Sequence, residues 1–175
     1  MESRSNLWLL IRRPLFLLFV CGCVVSIWTS GRFSVRLVAD GMVSFSFIPV
    51  FQILSFAAAY RLALRDTGLA PAADRFFAGD RPWLIWLFLF AGLRVLLTPM
   101  QAGAPPWPFW RAVPLAIVLV ILWSARVDYA FFQRTASGSR DAVRGLIVQR
   151  AISWTCSLVY FFGIAVWPAV AGRVF

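Results

Sequence analysis

The chain has no lysine and no histidine, and its only glutamate is Glu2. Without an imidazole there is no conventional general base, haem ligand or histidine metal site, so neither zinc nor haem chemistry is expected. Phosphate-binding Walker loops and glycine-rich dinucleotide turns are missing as well. Ser44, Ser46 and Ser55 lie in an apolar run with no histidine to activate them, where a hydroxyl bonds back to helix carbonyls. Asp66, Asp74 and Asp80 are spaced eight and six residues apart. That spacing fits no metal motif, and each has a nearby arginine as a simpler partner. A lipid-handling membrane enzyme, such as a transferase using Mg²⁺ on these aspartates, is therefore the third reading. The expectation is a protein without catalysis, metal or cofactor.

Charge is scarce too. Only 14% of the 175 residues are charged, against 61% hydrophobic and 17% aromatic, a balance too apolar for a water-exposed domain. All 17 basic residues are arginine and the net charge is +10, yet they are scattered between apolar runs and form no nucleic-acid-binding face. They read as anchors for helix ends against anionic lipid headgroups. Cysteine is limited to Cys21, Cys23 and Cys156, all inside apolar stretches. Two residues apart on a helix, Cys21 and Cys23 face different ways and cannot bridge, so all three read as small core residues.

The apolar runs predict an all-α, single-domain bundle of about five membrane-spanning helices, over about 14–30, 37–60, 83–98, 112–132 and 143–170. Pro14 suits a first helical turn. Val20, Gly22 and Cys23 loosely resemble a lipoprotein cleavage box, but the run continues apolar through Trp28 and reads as a retained span. Pro49 should kink the second helix near its middle. Between the second and third spans, Pro71 to Ala78 reads as a short helix at the membrane surface. Phe76 and Phe77 would dip into the headgroups or form a partner-docking element. Thr98 to Arg111, with four prolines beside Trp107 and Trp110, reads as a stiff interfacial loop. Ala165 and Ala169 offer a small-residue helix contact. No internal repeat supports an inverted-repeat transporter.

Arginine placement favours a cytoplasmic N-terminus, because the N-terminal segment and the second and fourth connections together hold ten of them against four on the other side. Small size, lack of a targeting extension and arginine-only basic usage point to a bacterial inner membrane. Charges inside the spans are costly and need partners, at about 2.5 to 3.5 kcal/mol each at mid-depth. At 1.5 Å per residue, Asp40 on the second span and Arg94 on the third both lie roughly 6 to 7 Å below one surface, so they are expected to pair. Near the other surface Arg126, Asp128, Gln149 and Arg150 are close in depth and form a second candidate cluster. These pairs either fix helix register or line a polar pathway. The leading expectation is a non-catalytic membrane subunit or scaffold packing with lipids and with other membrane proteins or its own copies. The alternative is a small oligomeric transporter or channel lined at Asp40, Gln52 and Arg94 or around Asp128 and Arg150.

Overall fold

The computed structural model describes residues 2–63, 68–97 and 107–166, with side chains over 5–63, 68–96 and 112–164. Among these residues there is no strand, and five helical stretches are long and apolar enough to cross a membrane. The protein is an all-α membrane-helix bundle. Its elements are α1 (Glu2–Ser30), α2 (Val35–Ser44), α3 (Phe47–Ala63), α4 (Leu69–Phe77), α5 (Arg81–Leu97), α6 (Trp107–Thr135) and α7 (Ser139–Phe161), the last closed by a π turn, Phe162–Val166.

Helix α1 begins at Glu2, so Pro14 stands in its interior and not in its first turn. The missing N–H is tolerated in a membrane helix where neighbours cover the gap, and here Pro14 is almost wholly buried. Gly31 ends the helix with a φ of 69°, the left-handed conformation glycine adopts without strain, and its N–H bonds Ile27 O at 2.9 Å. The buried Ser26 then ties down the turn: its Oγ donates to Arg32 O at 3.0 Å and accepts from Ser34 N at 2.8 Å.

The second crossing is broken, not merely kinked. Helix α2 stops at Ser44 and α3 starts at Phe47, because the Pro49 ring excludes a helical bond to the carbonyl four residues back. Pro49 falls in the first turn of α3, where a missing N–H costs little. Two glycines bring α2 onto α1. A Cβ on Gly22 would stand 2.5 Å from Val38 O, and one on Gly41 would stand 3.0 Å from the Gly22 Cα.

Helices α3 and α7 pack closely along one side, with α6 against α7 and α4 and α5 against α1. At Gly145 of α7 an added Cβ would meet the Phe132 ring at 2.7 Å and Ala63 Cβ at 3.0 Å, so this glycine sets the approach of three helices.

The short helix α4 is present, but its phenylalanines point inward. Phe76 and Phe77 are buried, with Phe76 stacked on Phe56 at 4.7 Å and edge-on to Phe131 at 5.3 Å. The apolar face of a nine-residue amphipathic helix is covered here by α3 and α6, not by headgroups. The presumed loop before the fourth span is also partly helical. Trp107 and Trp110 belong to the start of α6, and their side chains lie outside the described residues, as do Asp66 and the Ala165–Ala169 contact.

Candidate functional site

Arg12 and Arg13 project from α1 to one carboxylate on α4. Arg12 holds Asp74 with two bonds, Nε to Oδ1 and Nη2 to Oδ2, both 2.7 Å. Arg13 Nε reaches the same Oδ1 at 2.8 Å. Bidentate guanidinium geometry fixes orientation as well as charge. The neighbouring Arg75 instead bonds its own helix at Pro71 O, 3.3 Å. Asp74 thus serves as a clamp between α1 and α4.

Of the second cluster, Asp128 and Arg150 meet in an ion pair. Arg150 of α7 donates through Nη2 to Asp128 Oδ2 at 2.5 Å and to Ser124 Oγ at 2.9 Å, both on α6. Gln149 is buried next to it, whereas Arg126 is exposed on the outer face of α6. Asp40 and Arg94 are not joined by an ion pair: Asp40 is exposed on α2, and Arg94 lies over the Trp28 ring, 5.9 Å from its centroid. Equal depth did not bring them together because α2 packs on the opposite flank of α1 from α5.

Between the five crossings lies a cavity of about 580 Å³, within the range of small-molecule sites. It reaches from Asp128 to Val113 on α6 and from Leu17 to Trp28 on α1, a length of about 16 to 22 Å at helical rise. Its walls are apolar and rich in tryptophan. Trp28 stacks on Phe90 at 4.1 Å and Trp86 on the same ring at 5.4 Å, and Trp28 Nε1 donates to Phe90 O at 3.2 Å.

Part of the lining is polar. Gln52, Asp80, Asp128, Gln149 and Arg150 all line it. Four atoms there are buried without a hydrogen-bond partner in the protein: Gln52 Oε1, Asp80 Oδ2, Gln149 Oε1 and Arg150 Nε. Such atoms are expensive to leave unmade inside a bundle, and their concentration around one cavity separates this region from the rest of the molecule. Among the described residues no group of three or more metal-ligating side chains gathers elsewhere or here.

Asp80 is the member that sequence reading missed. It sits just before α5, its carbonyl accepting from Leu84 N at 3.1 Å, and it makes no ion pair with the adjacent Arg81. The signal was the Asp80-Arg81-Pro82 start of a helix followed by Trp83, since residues three apart share a helix face. Gln52 stood out as a lone amide in an apolar run, but only the packing of α3 on α7 shows that it faces Gln149's cavity.

Fold and site together define a polytopic helical membrane protein with an aromatic cavity lined in part by a partly unpartnered polar cluster. Comparison with protein families, characterised proteins and solved structures finds nothing that matches this chain.

Proposed function

We propose that this chain is a non-catalytic integral membrane protein that receives a lipophilic small molecule in its intramembrane cavity, the binding unit of a small carrier or transporter. The observation that carries this reading is the conjunction of an apolar, tryptophan-rich cavity of about 580 Å³ with four unpartnered polar atoms on residues that line it. A cavity whose only purpose was packing would be filled, and a polar cluster whose only purpose was register would be satisfied within the protein. The placement fits a bacterial inner membrane with the N-terminus in the cytoplasm, the side to which most of the arginines fall.

The test uses the full chain in lipid nanodiscs and the neutral dye N-phenyl-1-naphthylamine, read by energy transfer from tryptophan. Saturable transfer above that of empty nanodiscs, lost when the cavity is filled by Ser153→Trp, is the expected outcome. Transfer indistinguishable from empty nanodiscs overturns the reading.

A second reading, a subunit packing with other membrane proteins or with its own copies, is favoured by the last helix. From Leu158 to Ile164 every residue is exposed, and although Tyr160 stacks on Phe47 and Leu158 and Phe161 border the cavity, Val159, Phe162 and Ile164 each leave more than half of their surface open. Native mass spectrometry from mild detergent distinguishes the two readings: stoichiometric partners, whether other membrane proteins or further copies of this chain, support the subunit, and a lone chain supports the carrier.

A further inference from the structure

The character of the polar lining narrows the ligand, and this narrowing rests on the cavity being a binding site for a lipophilic molecule. The charges lining the cavity are two carboxylates, Asp80 and Asp128, and one guanidinium, Arg150. Arg150 already gives Nη2 to Asp128 and Ser124. Asp80 is therefore the carboxylate without a matching cation in the lining. The other cation within electrostatic range of it is Arg13, which is bound to Asp74 at 2.8 Å and does not line the cavity.

Hydrogen-bond capacity points the same way. Three of the four unpartnered atoms are acceptors, on Gln52, Asp80 and Gln149, and Gln149 is only 5% exposed. A protonated primary amine offers three donors and no acceptor. An anionic headgroup would bring further acceptors to a site already rich in them and would add charge of the sign that the lining already has in excess.

The walls suit a cation as well. Trp83 lies three residues beyond Asp80, on the same face of the start of α5, and Trp86 and Trp154 also border the cavity. An ammonium group near an indole face gains from the ring quadrupole, and more so where water is excluded. We propose that the cavity takes a lipophilic primary amine, its ammonium received by Asp80 with Gln149 and its apolar body lying among Trp83, Trp86 and Trp154.

The test is a matched series of 4-phenylbutylamine, 4-phenylbutanol and 4-phenylbutyrate, measured at neutral pH by equilibrium dialysis of the full chain in nanodiscs against empty nanodiscs. The amine should bind at least about tenfold more tightly than the other two, in keeping with a desolvated cation on an aromatic wall. Asp80→Asn should remove that preference, and Asp40→Asn, on the outer surface, should leave it intact.

Equal binding of all three compounds overturns the amine while leaving the cavity as a binding site standing. Binding of none overturns the amine too, and the dye experiment alone then decides the cavity. Amine preference that survives Asp80→Asn overturns the assignment of Asp80. If Asp80→Asn does not fold, the series on the unaltered protein decides: a tenfold preference supports the inference and no preference ends it.

Discussion

Arg150 Nη2 lies 2.5 Å from Asp128 Oδ2 and joins α7 to α6 at the polar part of the cavity lining. Their side chains are 19% and 9% exposed, so removal of one partner leaves the other charged and largely cut off from water. Asp128→Asn or Arg150→Met alone should each cost about 3 to 5 kcal/mol. The apolar double variant Asp128→Leu/Arg150→Met should recover most of the loss, since the desolvation penalty disappears with the charges. Unfolding of the purified variants in mixed micelles measures both. A double variant no more stable than the singles would show that the pair is worth more than its desolvation cost.

Gly145→Ala should destabilise by about 1 to 3 kcal/mol, as overpacking of a close interface does. The added methyl meets the Phe132 ring at 2.7 Å and Ala63 on the other side at 3.0 Å, and Phe132 is fully buried. The companion change Gly92→Ala should be silent or mildly stabilising, because nothing stands within 4 Å of its Cβ position and alanine is the better helix former. Thermal unfolding of the two variants side by side is the check.

Asp40→Asn and Arg94→Gln should be additive within about 0.3 to 0.5 kcal/mol in a double-mutant cycle, as expected of sites that do not touch. A larger coupling energy would mean that the two meet after all.

Arg12 and Arg13 share Asp74, and each is partly open to solvent. Either arginine alone should hold α4 to α1, so Arg12→Gln and Arg13→Gln should each lower the unfolding midpoint little. The double variant should lower it by more than the two together. Raising salt should shrink these differences more than it shrinks that of Asp128→Asn, because exposed pairs are screened and buried ones are not. Melting curves at low and high ionic strength test this.

The crossings were legible because twenty or so apolar residues have few alternatives in a bilayer. The Asp128–Arg150 pair was within reach of the sequence because the two residues lie on consecutive helices joined by a short turn. Depth arithmetic failed for Asp40 and Arg94, because depth fixes height along the bundle and says nothing about which flank of α1 each helix occupies. The facing of α4 was undecidable from its own residues: an amphipathic stripe ending in Phe76 and Phe77 fits a headgroup layer as well as it fits Phe56 and Phe131. Asp80 was hidden for a related reason. It lies in the polar stretch before α5, where a charge needs no explanation, and its burial arises only because α6 and α7 close over it.

The break between α2 and α3 divides the second crossing between two neighbours. Helix α2 is seated on α1 through Gly22 and Gly41, while α3 runs along α7. Phe45 and Phe47, on either side of the break, both border the cavity. The joint is spanned by tight bonds to the carbonyl three residues back, Ser46 N to Val43 O at 3.2 Å and Ile48 N to Phe45 O at 3.0 Å. The second crossing therefore works as two rigid rods with an elbow. The stretch of cavity wall at Phe45 and Phe47 thus belongs to the elbow, where the regular helical ladder is interrupted, and not to either rod's seated face.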